Sequence, residues 1–319
     1  MINPNFNEMV DAALIRISNF IRKTPLQHSQ ILSTLSGAEV YLKLENYQVT
    51  GSFKARGATN KLMLFSEQQP QRIITASSGN HGSAVAYASA KLNLDVLIFL
   101  PETVSPAKLK KIKSYGAEVK ISGHDSGDAE VAAKDFAEAN NYPYLSPYND
   151  VDVIIGQGTA AAEVCQEIDR LDAVFIAVGG GGLISGIGGY LKQKIPAIQV
   201  VACSPENSAA MHHALGVGRI EPIEHSETLS DGTAGALEEG SITFDYCQSI
   251  IDRSLLVSEE QIAEAMKDFI GNHQMLIEGS AAVAIAGFMK DLENWKNKKV
   301  LIVICGANVS NEVLLRVLK

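Results

Sequence analysis

The chain has only four cysteines, Cys165, Cys203, Cys247 and Cys305, and no Cys-x-x-Cys pair. So few, so widely spaced, support neither a zinc site nor a disulfide framework, and they suit a reducing cytoplasm. Basic residues are also scarce. There are 27 Lys and Arg against 36 Asp and Glu, a net charge of −9. An acidic surface repels phosphate backbones, so nucleic acid is not an expected partner. No apolar run approaches the roughly 20 residues of a membrane helix. The first stretch, MINPNFNEMVDAALIRISNF, has neither the basic start nor the apolar centre of a secretory signal. A cytoplasmic protein with no membrane contact is the expectation.

What the chain does have is a repeated order of short apolar run, Gly or Ser turn, then helical stretch. RIITA (72–76) leads through SSGNHG into SAVAYASAKL, and DVLIFL (95–100) through PETVSP into AKLKKIKSYG. AEVKIS, AVFIAV (173–178), IQVVACS and VLIVICG repeat the theme. Continuous apolar strands alternating with helices imply parallel sheets covered on both faces. The units are too many for one small sheet, so two α/β domains are expected. Ligands in such sheets bind beyond the carboxyl ends of strands, where these turns fall. The polar, irregular stretch 219–241 reads as a loop of the larger domain.

Gly179, Gly180, Gly181 and Gly182 stand between AVFIAV and a helix. Four glycines are entropically expensive, so bare backbone is needed there. Amides at a helix N-terminus favour an anion, above all phosphate. The third glycine of a dinucleotide fingerprint would fall on Ile184 or Ser185, and no GxxxxGK[ST] occurs. A single phosphate on a small cofactor fits better, with a tight strand–helix turn as the bland alternative.

TGSFKARGA (50–58) places Lys54 just after Ser52, read as the N-cap of a helix from about Phe53. The positive end of the helix dipole disfavours the ammonium and helps make a nucleophilic amine. An aldehyde cofactor that carries one phosphate and is held by a lysine is pyridoxal phosphate. In SSGNHG, Asn80 offers an amide to a ring hydroxyl. Ser77, Ser78, Gly79 and neighbouring N–H groups offer a clamp for a substrate carboxylate. His81 is a weaker candidate base, since a lone loop histidine often caps or packs.

TPLQ (24–27), TGSFKARGA, SSGNHG, VGGGGLISG, IEGSAAVA (277–284) and CGANVS (305–310) occur in that order. Together they resemble the β-family, or fold type II, of pyridoxal-phosphate enzymes, and within it the threonine/serine dehydratase and serine racemase branch. The resemblance implies two open twisted sheets, tryptophan synthase β-like, with the cofactor between them. It implies a large domain from 1–69 and 148–319, and a small mobile domain at 70–147. It further implies that Lys54 carries the cofactor, Phe53 packs beside the ring and Asn80 bonds the ring hydroxyl. Gly179 to Gly182 would cradle the phosphate, Cys305 meet the pyridine nitrogen, Glu278 lie near the ring and Gly232 line the cofactor. A homodimer or dimer of dimers is implied as well.

On that resemblance the expected reaction is β-elimination of L-threonine or L-serine to a 2-oxo acid and ammonia. Ser78 stands where racemases carry a serine opposite the lysine, which keeps serine racemase and 3-hydroxyaspartate dehydratase as alternatives. Racemases of the eukaryotic kind also carry a Glu and an Asp for a divalent cation; here those positions are Ser204 and Ala210. Two carboxylates are missing, so no such metal site is expected. Long biosynthetic dehydratases continue into a regulatory domain after the CGANVS motif, and a short degradative enzyme is expected here. A β-replacing synthase is another alternative, and a cofactor-holding sensor without catalysis a more distant one.

Overall fold

The computed structural model describes residues 2–319. Its strands are β1 (Leu26–His28), β2 (Glu39–Leu44), β3 (Ile73–Ala76), β4 (Val96–Leu100), β5 (Glu118–Ile121), β6 (Ala173–Ala177), β7 (Gln199–Pro205), β8 (Arg253–Val257) and β9 (Lys299–Ile304). The helices are α1 (Phe6–Ile17), α2 (Gln30–Ser36), α3 (Lys54–Gln68), α4 (Asn80–Leu92), α5 (Pro106–Ser114), α6 (Ser126–Ala139), α7 (Val151–Cys165), α8 (Gly182–Lys194), α9 (Ala210–Val217), α10 (Ile242–Ile250), α11 (Glu259–His273), α12 (Gly279–Lys290) and α13 (Asn311–Leu318). No helix among the described residues is long and apolar enough to cross a membrane.

Two sheets form, as the alternation of runs and turns predicts. One is six-stranded, in the order β1-β2-β9-β6-β7-β8, and the other three-stranded, β3-β4-β5. Every pairing is parallel except β1 with β2, an antiparallel edge that the sequence pattern did not announce. The central strands β4 and β6 are buried along their whole length. The edge strand β5 is largely exposed. The small sheet is covered on both faces. Val96, Ile98 and Leu100 meet α3 and α4 through Ala58, Leu62, Phe65, Ala84 and Val85. Ile74, Leu97 and Phe99 meet Ala133 and Ala137 of α6 on the other face. The helix α3, which opens on Lys54, therefore puts its apolar side into the smaller core.

The pairing of β2 with β9 positions the site. Leu44 lies opposite Ile304 at the carboxyl ends, although the strands come from opposite ends of the chain. The turns that follow are stitched together: Phe53 N–H donates to the Cys305 carbonyl (3.0 Å), Ala307 N–H to the Gly51 carbonyl (2.9 Å), and Ser52 bridges Gly306.

Behind this junction lies a cluster of buried charges. The Arg56 guanidinium is fully buried and donates to both oxygens of Glu45 (2.8 and 2.8 Å) and both of Glu163 (2.8 and 2.7 Å). Lys43 Nζ reaches Glu163 (2.5 Å) and the Thr24 carbonyl (2.8 Å), while Thr24 Oγ1 donates to Glu45. Two cations and two carboxylates make the cluster neutral, and every charge in it is hydrogen-bonded, as buried charges require. It ties α3, α7 and the two segments around β2 together.

Candidate active site

Four loops converge at the carboxyl ends of the strands: 45–53 after β2, 77–79 after β3, 178–181 after β6 and 305–310 after β9. Of the helices that follow or face them, α3, α4, α8 and α12 begin without a side-chain cap, while α13, after the last loop, is capped by Ser310. By contrast α2, α5, α6, α7, α11 and α13 are capped by Ser or Asp, and α1, α9 and α10 lack a side-chain cap elsewhere. At α4 and α8 no side chain occupies the first N–H groups where an anion would approach, whereas at α3 Ala55, Arg56 and Gly57 already donate to the Ser52 carbonyl, the Phe53 carbonyl and Gln157 Oε1.

Lys54 is the first residue of α3. The expected start at Phe53 is early by one residue, Phe53 being the N-cap position, and Ser52 is not the cap: its hydroxyl is buried without a partner, as is that of Thr50. The half-buried Lys54 amine donates to the Pro147 carbonyl (2.7 Å) and lies 5.3 Å from the centre of the Phe53 ring. Burial pushes its pKa down to about 8, against the opposing influence of Cys305 and Glu278. Cys305 is 2% exposed, and burial together with Glu278 holds its thiol well above the ordinary range, so it stays neutral. Its Sγ lies 3.9 Å from Glu278 Oε1.

Glu278, 3% exposed, accepts from Asn80 Nδ2 (2.9 and 3.1 Å) and from the Asn308 N–H (3.0 Å). Burial pushes its pKa up to about 7, although the Asn80 bond works against the rise. An acid with a raised folded pKa destabilises when it ionises. In the cofactor-free protein its contribution is intact below about pH 4.5 and is lost as pH rises through about 7. Glu278→Gln is therefore expected to gain stability over wild type at pH 8, by at most about 3 kcal/mol, and little at pH 4.5. Urea unfolding at both pH values checks this; an equal gap at the two would contradict it.

The turn after β3 is shorter than the sequence suggested. Asn80, His81 and Gly82 already form the first turn of α4, with Gly79 as N-cap. Ser77, Ser78, Gly79 and Asn80 line the turn, all half-buried. His81 points inward: it is 2% exposed and its Nε2 bonds Thr75 Oγ1 (3.1 Å). Burial, reinforced by Lys54, lowers its pKa to about 3, so its ring is neutral and packed. A Cβ on Gly82 would lie 2.0 Å from the Ser77 carbonyl, which locks turn to helix.

The glycine run answers to close approach. A Cβ on Gly180 would lie 2.5 Å from the Tyr148 ring, and one on Gly179 would lie 2.6 Å from the Thr233 carbonyl. Gly181 has φ +84°, a left-handed conformation suited to glycine. Gly232 lies beside Ser280 and Glu278, and a Cβ there would come 2.7 Å from the Ser280 hydroxyl. At the positions where racemases hold a cation, Ser204 Oγ donates to the Val178 carbonyl (3.2 Å), and Ala210 opens α9.

A family described as pyridoxal-phosphate dependent enzyme matches residues 17–306. The chain belongs to this family. Among relatives of this pyridoxal-phosphate dependent enzyme, an L-threonine ammonia-lyase of Thermotoga maritima is 36% identical over 312 residues, 98% of this chain and 77% of the relative. The processed threonine deaminase isoform 2 of Solanum lycopersicum superposes with a TM-score of 0.92 at 32% identity, covering 99% of this chain and 93% of the other. A serine racemase of Dictyostelium discoideum superposes at 0.87 with 34% identity, covering 95% and 98%.

The residues present fit the cofactor. The enzyme offers a desolvated primary amine, a glycine turn at an uncapped helix start, and a side-chain amide and a neutral thiol that both meet Glu278. Tyr148, Thr233, Asn308 and Lys111 belong to this region and were not foreseen. Asn308 stands inside the CGANVS motif, of which the sequence singles out only the cysteine. Tyr148 follows no local pattern, because its role is to cover Gly180 and Gly182 across the fold.

Proposed function

We propose that the enzyme is an ammonia-lyase that eliminates the β-hydroxyl of L-threonine or L-serine, giving 2-oxobutanoate or pyruvate and ammonia. The observation that carries this reading is the Lys54 amine, its pKa pushed down to about 8 by burial, at the end of the cleft where a thiol, not a carboxylate, follows β9. The likeness to threonine ammonia-lyase supports the substrate. Pyridoxal phosphate, when bound, supplies a sink for the electron pair left at the substrate Cα.

The chain's own residues would do the rest. Lys54 would carry the cofactor, and its free amine would take the Cα proton. Gly179 to Gly182 and the start of α8 hold the phosphate, Gly232 and Phe53 flank the ring, and Asn80 donates to its oxygen. Ser77, Ser78, Gly79 and the first N–H groups of α4 bind the substrate carboxylate, with His81 holding the turn from behind. Cys305 would meet the ring nitrogen, and a neutral thiol there would not keep that nitrogen cationic, which would suit the bound cofactor to prompt loss of a β-hydroxyl. Glu278 orients Asn80. Residues 70–147 are proposed to close over the substrate against 1–69 and 148–319. We place the enzyme in the cytoplasm, in keeping with four free cysteines, as a homodimer or dimer of dimers.

Ser78 favours a second reading, serine racemase, because a hydroxyl opposite Lys54 would return a proton to the other face. L-threonine, L-serine, D-serine and 3-hydroxyaspartate should be assayed for ammonia and chirality, with and without chelator. Ammonia from the first two, insensitive to chelator, is the expected result. D-serine forming as fast as ammonia would replace lyase by racemase. A thioether formed on adding a thiol would replace it by a β-replacing synthase, and no reaction at all would overturn the assignment.

A further inference from the structure

Three lysines cross from the helices of the small sheet to loops of the large one. Lys108 and Lys134 end on the carboxylates of Asp231 (3.0 Å) and Glu238 (2.9 Å). Lys111, on α5, ends instead on two neutral oxygens inside the cleft: the Thr50 carbonyl (3.0 Å) and Asn308 Oδ1 (2.6 Å). An ammonium half out of water gains less from neutral oxygens than from a carboxylate in contact. What this arrangement provides is direction.

A lysine has three donors and no acceptor, so the Asn308 atom that meets it must be the oxygen. Asn308 Nδ2 then faces the Thr50 carbonyl (3.0 Å) and Asn80 Oδ1 (2.5 Å). Asn80 in turn points its own Nδ2 at Glu278. Turning Asn308 over would set donor against donor at Lys111 and acceptor against acceptor at Thr50. Donation therefore runs one way from α5 into the site.

We propose that Lys111 is a positioning residue for the cofactor: through Asn308 it fixes the Asn80 amide as a donor toward the ring oxygen. This rests on the reading of Asn80 given above. Cofactor-free enzyme is titrated with pyridoxal phosphate for wild type, Lys111→Met and Lys111→Arg. The methionine variant is expected to bind about tenfold more weakly, as loss of a charge-assisted hydrogen bond implies. The pH midpoint of the bound cofactor's visible band should move by about half a unit or more. Arginine keeps the donors and should stay within about threefold of wild type. If the methionine variant does not fold, Lys111→Leu, which likewise has no donor, carries the same test with the same direction. A variant of lowered Tm but unchanged affinity and midpoint would make Lys111 a mere tether and overturn the proposal. Lys54→Ala separates the two readings. A wild-type band that survives in Lys54→Ala, or no wild-type band at all, defeats the cofactor assignment; a normal band with an unaffected Lys111→Met defeats only the role of Lys111.

Discussion

Lys54→Ala is expected to abolish covalent attachment of pyridoxal phosphate and to lower L-threonine turnover by about 10³-fold or more. Both tasks of the residue need the free amine. With a pKa pushed down to about 8 by burial, roughly a tenth of the amine is free at pH 7. An ordinary lysine at 10.5 would offer about one part in 3000. The local fold creates the difference. Lys54 opens α3 where no side chain caps the helix, and its neighbours on the cleft side are a phenyl ring and a neutral thiol. Cofactor uptake by the apo-enzyme should accelerate with pH and level off above about pH 8, because the ammonium is the unreactive form. Lys54→Arg should fail as alanine does, since a guanidinium stays protonated. Reduction with borohydride followed by peptide mass analysis locates the attachment. Cofactor mass on any other lysine, or more than about a tenth of wild-type turnover in the alanine variant, would remove Lys54 from its role.

How far the sequence led can be judged from single elements. The strands β4 and β6 read correctly because they are continuous apolar runs closed by turns, and such runs have one economical home, the middle of a covered sheet. β1 escaped notice: three residues carry no period, and its antiparallel pairing depends on where β2 has already been placed. The glycine run was legible as a need for bare backbone, but what needs it, Tyr148 and Thr233, is fixed only in three dimensions. In the sequence Lys54 stands out by its place after a turn, and Cys305 only through the family resemblance. Their proximity comes from the register of β2 on β9, which no local pattern encodes. His81, the weaker candidate base in the sequence because a lone loop histidine often packs, is a neutral, buried support for the turn. Asn308 was hidden for a related reason. Its backbone serves Glu278 and its side chain serves Asn80, and both partners lie far away in the chain.

Arg56 is the plainest omission, two residues from the lysine that drew attention, because charge in a sequence ordinarily means surface. Its replacement by methionine is expected to destabilise the protein by about 3–5 kcal/mol, as removal of one partner from a buried ion cluster does. That is a large share of the roughly 5–15 kcal/mol that holds a typical fold. The sign with pH follows from Glu45. Burial alone would raise its pKa, but Arg56, with Lys43 and Thr24, holds it below the ordinary value. The stabilisation is therefore present above the unfolded pKa of Glu45 and fades as pH falls through the folded one. Without Arg56 the burial effect wins, the folded pKa rises, and the variant loses stability as pH climbs instead. The gap between wild type and Arg56→Met should accordingly be widest near neutrality and narrow toward pH 4, as read by urea unfolding of the cofactor-free proteins. Adding Glu45→Leu removes the orphaned carboxylate and leaves Lys43 paired with Glu163, so the double variant should recover at least half of the loss. A double variant no more stable than Arg56→Met would mean that Arg56 acts through packing of its long stem against α3 and α7, and that the charges around it are incidental.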